Sequence, residues 1–411
     1  MPARLPLDGI RVADFTWVWA GPFATLQLAH LGAEVIRIET ATRPCVTRML
    51  PPWADGEFGI NRSGYFNQYN QGKLSLALDL KQPRAVEIAK ELVAKSDIVC
   101  ENFAAGVMDR MGLGYDVLRE VKPDIIMIAM SGYGANGPER DFVSYGPAQV
   151  PLSGMSSLTG YIGWRPMHVG ISYGDPTAGL HGAFAVLAAL LYRARTGRGQ
   201  FIDMSQQETT IAVLPEGVME YSMNGTQPPR QGNRDPHMAP HGVFRCAGDQ
   251  RWVAIAIRDD AEWVRCATLI GGPDLATDAA YATLAARKQN EDRLEEIVTA
   301  WTCSRSPEAV TETLQRARIP AFPSYTNQDV AEDEHLNASE FFVRRAHPEV
   351  GIRQHIGMPW RMSGTPCAVR RPAPCLGQDT DHVLTRILNY SSEEIERLRA
   401  TNVLIWGPRY V

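Results

Sequence analysis

The sequence predicts an α/β protein built around a largely parallel sheet. Three observations carry that prediction. Short, continuously apolar runs recur through the first 130 residues and read as buried strands. Helix-periodic segments separate them, with stop signals such as Gly32 at their ends. Strands that alternate with helices join as right-handed crossovers, which makes neighbouring strands parallel.

The elements follow in order. IRVADF (10–15) is the first strand, and a helix over 22–31 stops at Gly32. EVIRIE (34–39) and LSLALDL (74–80) are the next strands, AVEIAKELVAK (85–95) is a helix, and DIVCENF (97–103) and IIMIAM (125–130) are strands again. The pattern is Rossmann-like. TWVWAGP follows the first strand, where a dinucleotide-binding chain would carry its Gly-rich fingerprint, so a nicotinamide enzyme loses its main support.

After Met130 the chain changes character. SGYGANGPERD (131–141) reads as an exposed loop and PLSGMSSLTGYIGWRP (151–166) as irregular. A strongly apolar helix is expected over 177–195, then a short strand in GRGQFIDMS (197–205) and a helix to Met223. The Pro/Gly-rich stretch GTQPPRQGNRDPHMAPHG (225–242) is a linker. Beyond it, GVFRCAGDQRWVAIAI (242–257) predicts a hairpin turning at Gly248–Asp249, and helical patterns run over 260–314. The expected organisation is a first segment 1–224, a linker and small α+β domain 225–318, and a last segment 319–411 ending in a helix over 391–399.

The chain has 411 residues, 45% of them hydrophobic and 21% charged. At roughly 100–200 residues per domain this is two or three domains. Lys and Arg number 41 against 46 Asp and Glu, a net charge of −5, which argues against nucleic acid or an anionic membrane surface as main partner. The longest apolar stretch, 182–192, is too short to span a bilayer. MPARLPLDGIRV has no apolar core of a secretory signal. Seven cysteines at scattered spacings read as reduced thiols of a cytoplasmic protein. His237 and His241 are the one close histidine pair, without a cysteine nearby, so no metal site and no redox cofactor are expected.

Asp175 is the residue of greatest chemical interest. It stands with Pro176 directly before the apolar helix. On local sequence alone the simpler role is N-cap, with Pro176 as the first helical residue. The functional reading needs the same place: a helix start favours a carboxylate in its anionic, nucleophilic form, and backbone N–H groups nearby can hold an oxyanion. Gly170 and Gly174 would let a bulky ligand approach the backbone.

Five blocks stand in fixed order: LDGIRVADFTWVWAGPFATLQLAHLGAEVIRIE, GKLSLALDLK, ENFAAGVMDRMGLGYDVL, GDPTAGLHGAFAVLAAL and TGRGQFIDMS. Together they resemble the family III CoA-transferases, the group of formyl-CoA transferase, carnitine CoA-transferase and α-methylacyl-CoA racemase. The likeness is dense over 5–215, weaker over 225–315, and returns in IPAFPSY, around 333–336 and in APCLGQDTDHVL (373–384). It implies a large Rossmann-like domain made from both ends of the chain, a small domain in the middle, and two subunits interlocked like chain links. It implies Asp175 as the nucleophile, forming a mixed anhydride and then an aspartyl-CoA thioester. Coenzyme A enters as the thioester substrate, and the partners are an acyl-CoA donor, a carboxylate acceptor, and a second copy or a homologous subunit.

The resemblance also places Val18, Ala20, Lys73, Leu74, Asn102, Arg110 and Met111 at the CoA and Tyr145 near the reacting centre. CoA is polyanionic, so a chain of net −5 must hold it with local cations; Arg110, Lys73 and Arg43 are the candidates, Arg43 because Thr40 stands where the family often has a phosphate-binding arginine. Trp19 replaces the glutamine of formyl-CoA transferase, and Trp17 and Trp164 align near the acyl end. This favours a bulky, apolar or aromatic acid, as in benzylsuccinate-type enzymes with succinyl-CoA as donor, with carnitine-type and mesaconate-type transferases as other branches. QGNRDPHMAPHG (231–242) stands in the region of the family's glycine-rich closing loop and is a candidate lid. The racemase branch needs a histidine base in the loop FVSYGPAQ (142–149), which has none, so transfer is favoured. A racemase-like enzyme and a catalytically silent subunit of a heteromer stay open as alternatives.

Overall fold

Six strands form one parallel sheet in the computed structural model, which describes residues 5–405. Residues 1–4 and 406–411 lie outside the described residues, and with them part of the opening segment read above for a leader. The strands are β1 (Arg11–Asp14), β2 (Glu34–Glu39), β3 (Leu74–Ala77), β4 (Ile98–Glu101), β5 (Ile126–Ser131) and β6 (Phe201–Ser205), in the order β3-β2-β1-β4-β5-β6. The order reverses between β1 and β4, whose registers run Val12 to Ile98 and Asp14 to Cys100. In a sheet of this kind the chain leaves β1 and β4 in opposite directions, and a crevice opens beyond their carboxyl ends.

Helices cover both faces. The intervening helices are α1 (Ala20–His30), α2 (Gly64–Tyr69), α3 (Pro83–Ala94), α4 (Val107–Arg110), α5 (Tyr115–Val121), α6 (Gly146–Leu152), α7 (Met155–Leu158) and α8 (Gly174–Thr196). One face packs Ile36, Ile38, Leu76 and Val99 under α3 and α5, joined by Val383, Leu384, Ile395 and Leu398 from the chain's end. The other packs Val12, Val35, Cys100 and Ile128 under Ala24 and Leu28 of α1 and Val186 and Ala189 of α8. Helix α8 is long and apolar enough to cross a membrane by length and composition alone. Its glycines instead seat it on the protein: a Cβ on Gly179 would lie 2.8 Å from Ala20 O, and one on Gly182 2.7 Å from Met130 Sδ.

The chain divides into two units, one of residues 1–156, 168–225 and 338–411, the other of 157–167 and 226–337. The second unit has strands β7 (His241–Arg245), β8 (Trp252–Ala256) and β9 (Ala321–Pro323) in one antiparallel sheet, with four helices between β8 and β9. Its core surrounds the fully buried Trp263. This moves a predicted boundary. The chain returns to the first unit near Ala338 and not at Ile319, because Ala321–Pro323 pairs with β8 as a third strand. Residues 157–167 also belong to the second unit, tied there by Arg230, which donates to Trp164 O at 2.8 Å and Ser157 O at 3.2 Å. The lid candidate is pinned inside the same unit: Arg234 binds Glu295 at 2.7 Å, and His241 Nδ1 lies 2.7 Å from Asn233 O. The expected single helix to Met223 is two, Gln206–Ile211 and Pro215–Asn224; Pro215 lacks the N–H that would continue the first.

The α1–α8 crossing leaves no room for a side chain at Gly179. Gly179→Val is expected to cost about 1–3 kcal/mol of stability by overpacking, measured by urea unfolding.

Candidate active site

Beyond the carboxyl end of β1 the chain makes a tight turn before α1. Val18 sits there at φ +63°, a region that β-branched residues rarely occupy. Three contacts hold it. The Asn102 side chain, just past β4, clamps Trp17: it accepts from Trp17 N at 2.7 Å and donates to Trp17 O at 2.8 Å. Val18 N donates to Cys45 Sγ at 3.3 Å. Gly21 lies so close to Thr16 that a Cβ would stand 2.4 Å from Thr16 Cβ. The turn therefore bridges the two strands at which the sheet order reverses, and it delivers the Ala20 N–H to the carboxylate of Asp175.

Asp175 is the second residue of α8, not its N-cap; the cap position is Tyr173, whose side chain makes no capping bond. The carboxyl is buried, with 6% of the residue exposed. Burial pushes it up to about 7, and the Ala20 N–H pulls the other way. The helix start was expected to favour the anion, but loss of water outweighs that field. A Cβ on Gly146, the first residue of α6, would lie 1.7 Å from Asp175 Oδ2, so the carboxylate rests against bare backbone.

A cavity of about 1070 Å³ opens from Asp175. Its walls include Trp17, Val18, Asn102, Arg110, Met111 and Tyr145, and four cations, Arg43, Lys81, Lys90 and Arg110. The Arg43 guanidinium lies 5.2 Å from the Trp17 ring centre. That volume suits an extended nucleotide-sized ligand, and the cations suit its phosphates.

An aromatic cluster stands close to Asp175. Trp19 meets Tyr65 at 5.8 Å and Tyr69 at 5.1 Å between ring centres, and Phe23 meets Tyr69 at 5.7 Å. Burial and then the negative Asp175 push both phenols up, Tyr69 to about 12. The Trp19 Nε1 is buried without a hydrogen-bond partner.

The chain matches the family model described as CoA-transferase family III over residues 7–380. It belongs to CoA-transferase family III. Succinyl-CoA–D-citramalate CoA-transferase of Chloroflexus aurantiacus is 31% identical over 97% of this chain and 98% of its own length. The beta subunit of succinyl-CoA–L-malate CoA-transferase from the same organism is 33% identical over 97% and 98%. The crystal structure of a CaiB/BaiF family protein from Brucella suis has a TM-score of 0.85 at 30% identity, over 93% of this chain and 99% of that one. The chain is thus an enzyme, a CoA-transferase whose relatives include users of succinyl-CoA.

The structure sorts the expected site residues of this CoA-transferase. Val18, Asn102, Arg110, Met111 and Tyr145 share the cavity with Asp175, while Ala20 stands behind the wall and contributes its N–H. Trp19 belongs to the aromatic cluster and not to the cavity wall, and Trp164 lies in the other unit. Lys73 and Leu74 are a correction. Lys73 is wholly buried on Asp14 at 3.2 Å, and Leu74 packs into the sheet core. Both enter β3, whereas the cavity takes Leu78, Asp79, Leu80 and Lys81 from the strand's far end. The general rule that ligands sit at the carboxyl ends of parallel strands would have found them. Tyr65, Tyr69 and Gly146 had no such signal, since only folding brings them to Asp175. Among the described residues no group of three or more His, Cys, Asp or Glu side chains is placed to hold a metal ion.

Gly146→Ala is expected to displace the Asp175 carboxylate and lower turnover about a hundredfold, with the fold intact by circular dichroism. A carboxyl titrating near 7 is mostly ionised above that pH, and its ionised fraction falls as the pH drops below it. If the carboxylate is the reacting form, the single-turnover rate should fall about tenfold per pH unit below 7 and level off above it.

Proposed function

We propose that this enzyme moves CoA from an acyl-CoA donor to a carboxylic acid acceptor through covalent intermediates on Asp175. The observation that carries the reading is a buried carboxylate, one N–H donor beside it, at the end of a large cavity whose wall carries Arg43, Lys81, Lys90 and Arg110 among the acids Glu39, Asp79 and Glu87. An Asp175 oxygen attacks the donor thioester carbonyl; the C–S bond breaks, leaving a mixed anhydride and CoA thiolate. The thiolate attacks the Asp175 Cγ and releases the donor acid, so Asp175 becomes a thioester. The acceptor carboxylate attacks Cγ and expels the thiolate, and the thiolate then takes the acceptor acyl group and frees Asp175. Each attack on Cγ builds negative charge on an Asp175 oxygen, which the Ala20 N–H is placed to receive. Burial serves the same chemistry, because water would hydrolyse anhydride and thioester alike.

Arg43, Lys81, Lys90 and Arg110 are the proposed partners of the CoA phosphates, with Val18, Asn102 and Met111 along the ligand and Tyr145 near the thioester. Succinyl-CoA as donor is supported by what the relatives are named for. A bulky, apolar or aromatic acceptor is supported by Trp17, Phe103 and Tyr145, the aromatic residues that share the cavity wall with Asp175. Proton abstraction as in a racemase needs a second base beside the substrate, and the loop over 142–149 that borders the cavity carries no histidine to supply it.

A paired assembly, of two copies or with a homologous subunit, is supported by α8 and the helix Pro215–Asn224. They leave Phe184 73% exposed and Leu180, Leu191, Val218, Met219, Tyr221 and Met223 also open. The seven cysteines are all free thiols, which suits the proposed cytoplasmic setting.

The chain incubated with succinyl-CoA should gain a CoA-sized mass on the Asp175 peptide, removable by hydroxylamine, and should sediment at twice its chain mass. Asp175→Ala should show no adduct and no transfer. Across malate, citramalate and benzylsuccinate, kcat/KM should be highest for benzylsuccinate. Full transfer by Asp175→Ala would sink the mechanism, and a preference for malate would sink the acceptor assignment.

A further inference from the structure

A cluster of charges lies buried beneath α1, outside the cavity, and its hydrogen bonds converge on one stretch of backbone. Lys73 Nζ donates to Pro22 O at 3.0 Å, Asn70 Oδ1 at 3.0 Å and Asp14 Oδ2 at 3.2 Å. Asp14 in turn accepts from Thr16 N at 2.9 Å, Thr16 Oγ1 at 2.5 Å and Thr25 Oγ1 at 2.8 Å. One end of the segment from Thr16 to Pro22 therefore hangs on Asp14, and the other end on Lys73. Between these two anchors stand Val18 at φ +63° and the Ala20 N–H that meets Asp175.

We propose that the Asp14–Lys73 pair is a positioning element for the Asp175 nucleophile, holding both ends of the turn so that the Ala20 N–H stays aimed at the carboxylate. The inference rests on Asp175 being the nucleophile.

Two physical reasons favour this role over general stabilisation. Apolar residues of the same volume commonly stabilise a core as well as a buried ion pair does, because two charges must be stripped of water. Apolar packing has no direction, however, whereas hydrogen bonds to Thr16 N and Pro22 O fix where the backbone lies. The turn needs that fixing, since a β-branched residue at positive φ relaxes unless its surroundings over-determine it. Asn102 and Cys45 grip the middle of the turn at Trp17 and Val18. Asn102 also packs against Gly21, but neither side chain hydrogen-bonds Pro22 O. Both members of the pair are fully buried, so their hydrogen bonds act in a low-dielectric interior where misalignment is costly.

The test uses the double variant Asp14→Asn with Lys73→Met, which removes both charges without leaving either buried alone. Three properties are compared with wild type: CoA affinity by calorimetry, thermal unfolding, and the rate of adduct formation on Asp175 against pH. CoA affinity is expected within about twofold, because neither side chain lines the cavity. The adduct is expected to form at least about tenfold more slowly per folded molecule. The acidic limb of the rate profile is expected to move to higher pH, because a hydrogen bond to the anion lowers a carboxyl's pKa and its loss raises it. The titratable side chains that bear on Asp175 are Tyr65 and Tyr69, both pushed up and uncharged over that range. A lowered melting temperature with rate and limb unchanged would overturn the proposal. Should the double variant not fold, Lys73→Gln is measured in its place; its shorter, neutral amide is expected to move the limb the same way, and an unmoved limb overturns the proposal. Wild type that forms no adduct counts against the nucleophile itself, whereas equal adduct rates in wild type and variant count against the positioning role alone.

Discussion

The burial of one carboxylate organises this enzyme. Asp175 lies almost out of water with a single backbone N–H for company, and the net effect lifts it to about 7. An aspartate at a helix start would ordinarily ionise easily, and here it does not, because desolvation exceeds both the helix field and the Ala20 bond. The same burial keeps water from the intermediates proposed for it. A carboxylate near neutrality is also a better nucleophile than a fully acidic one, which suits the role proposed for Asp175.

Keeping such a group buried requires backbone to come very close. Gly146 meets the carboxylate with no side chain, Gly179 lets α8 touch Ala20 O, and Gly21 folds onto Thr16. These are the places where α1, α6 and α8 converge on the turn after β1. The Val18 conformation belongs to the same pattern, a strained residue held by Asn102, Cys45 and the anchors at Asp14 and Lys73. The cavity then extends from this point along the ends of β2, β3 and β4, where cationic side chains are free of the core.

The exposed apolar residues of α8 belong to the same economy. Its inner face is spent on α1 and β5, and its outer face keeps Leu180, Phe184 and Leu191 open. A helix apolar on both sides has two surfaces to cover, and one chain covers one of them.

Strand and helix order, the alternation that makes the sheet parallel, and the presence of the long apolar helix after Gly174 were legible in the sequence because they depend on local periodicity and local stop signals, although the helix starts before Asp175 and not after it. IRVADF, EVIRIE and IIMIAM lie where strands form, and the motif order around Asp175 pointed to the family. Three things needed the tertiary structure. Lys73 looked like a phosphate ligand, but its strand delivers it to the buried Asp14, since which end of β3 meets the cavity is set by the sheet. Ala321–Pro323 looked like a return to the first unit, but long-range pairing with β8 claims it. The pKa of Asp175 and the aromatic cluster beside it depend on how much water is excluded and on residues more than a hundred positions away. Those are sums over neighbours in space, which sequence spacing does not encode.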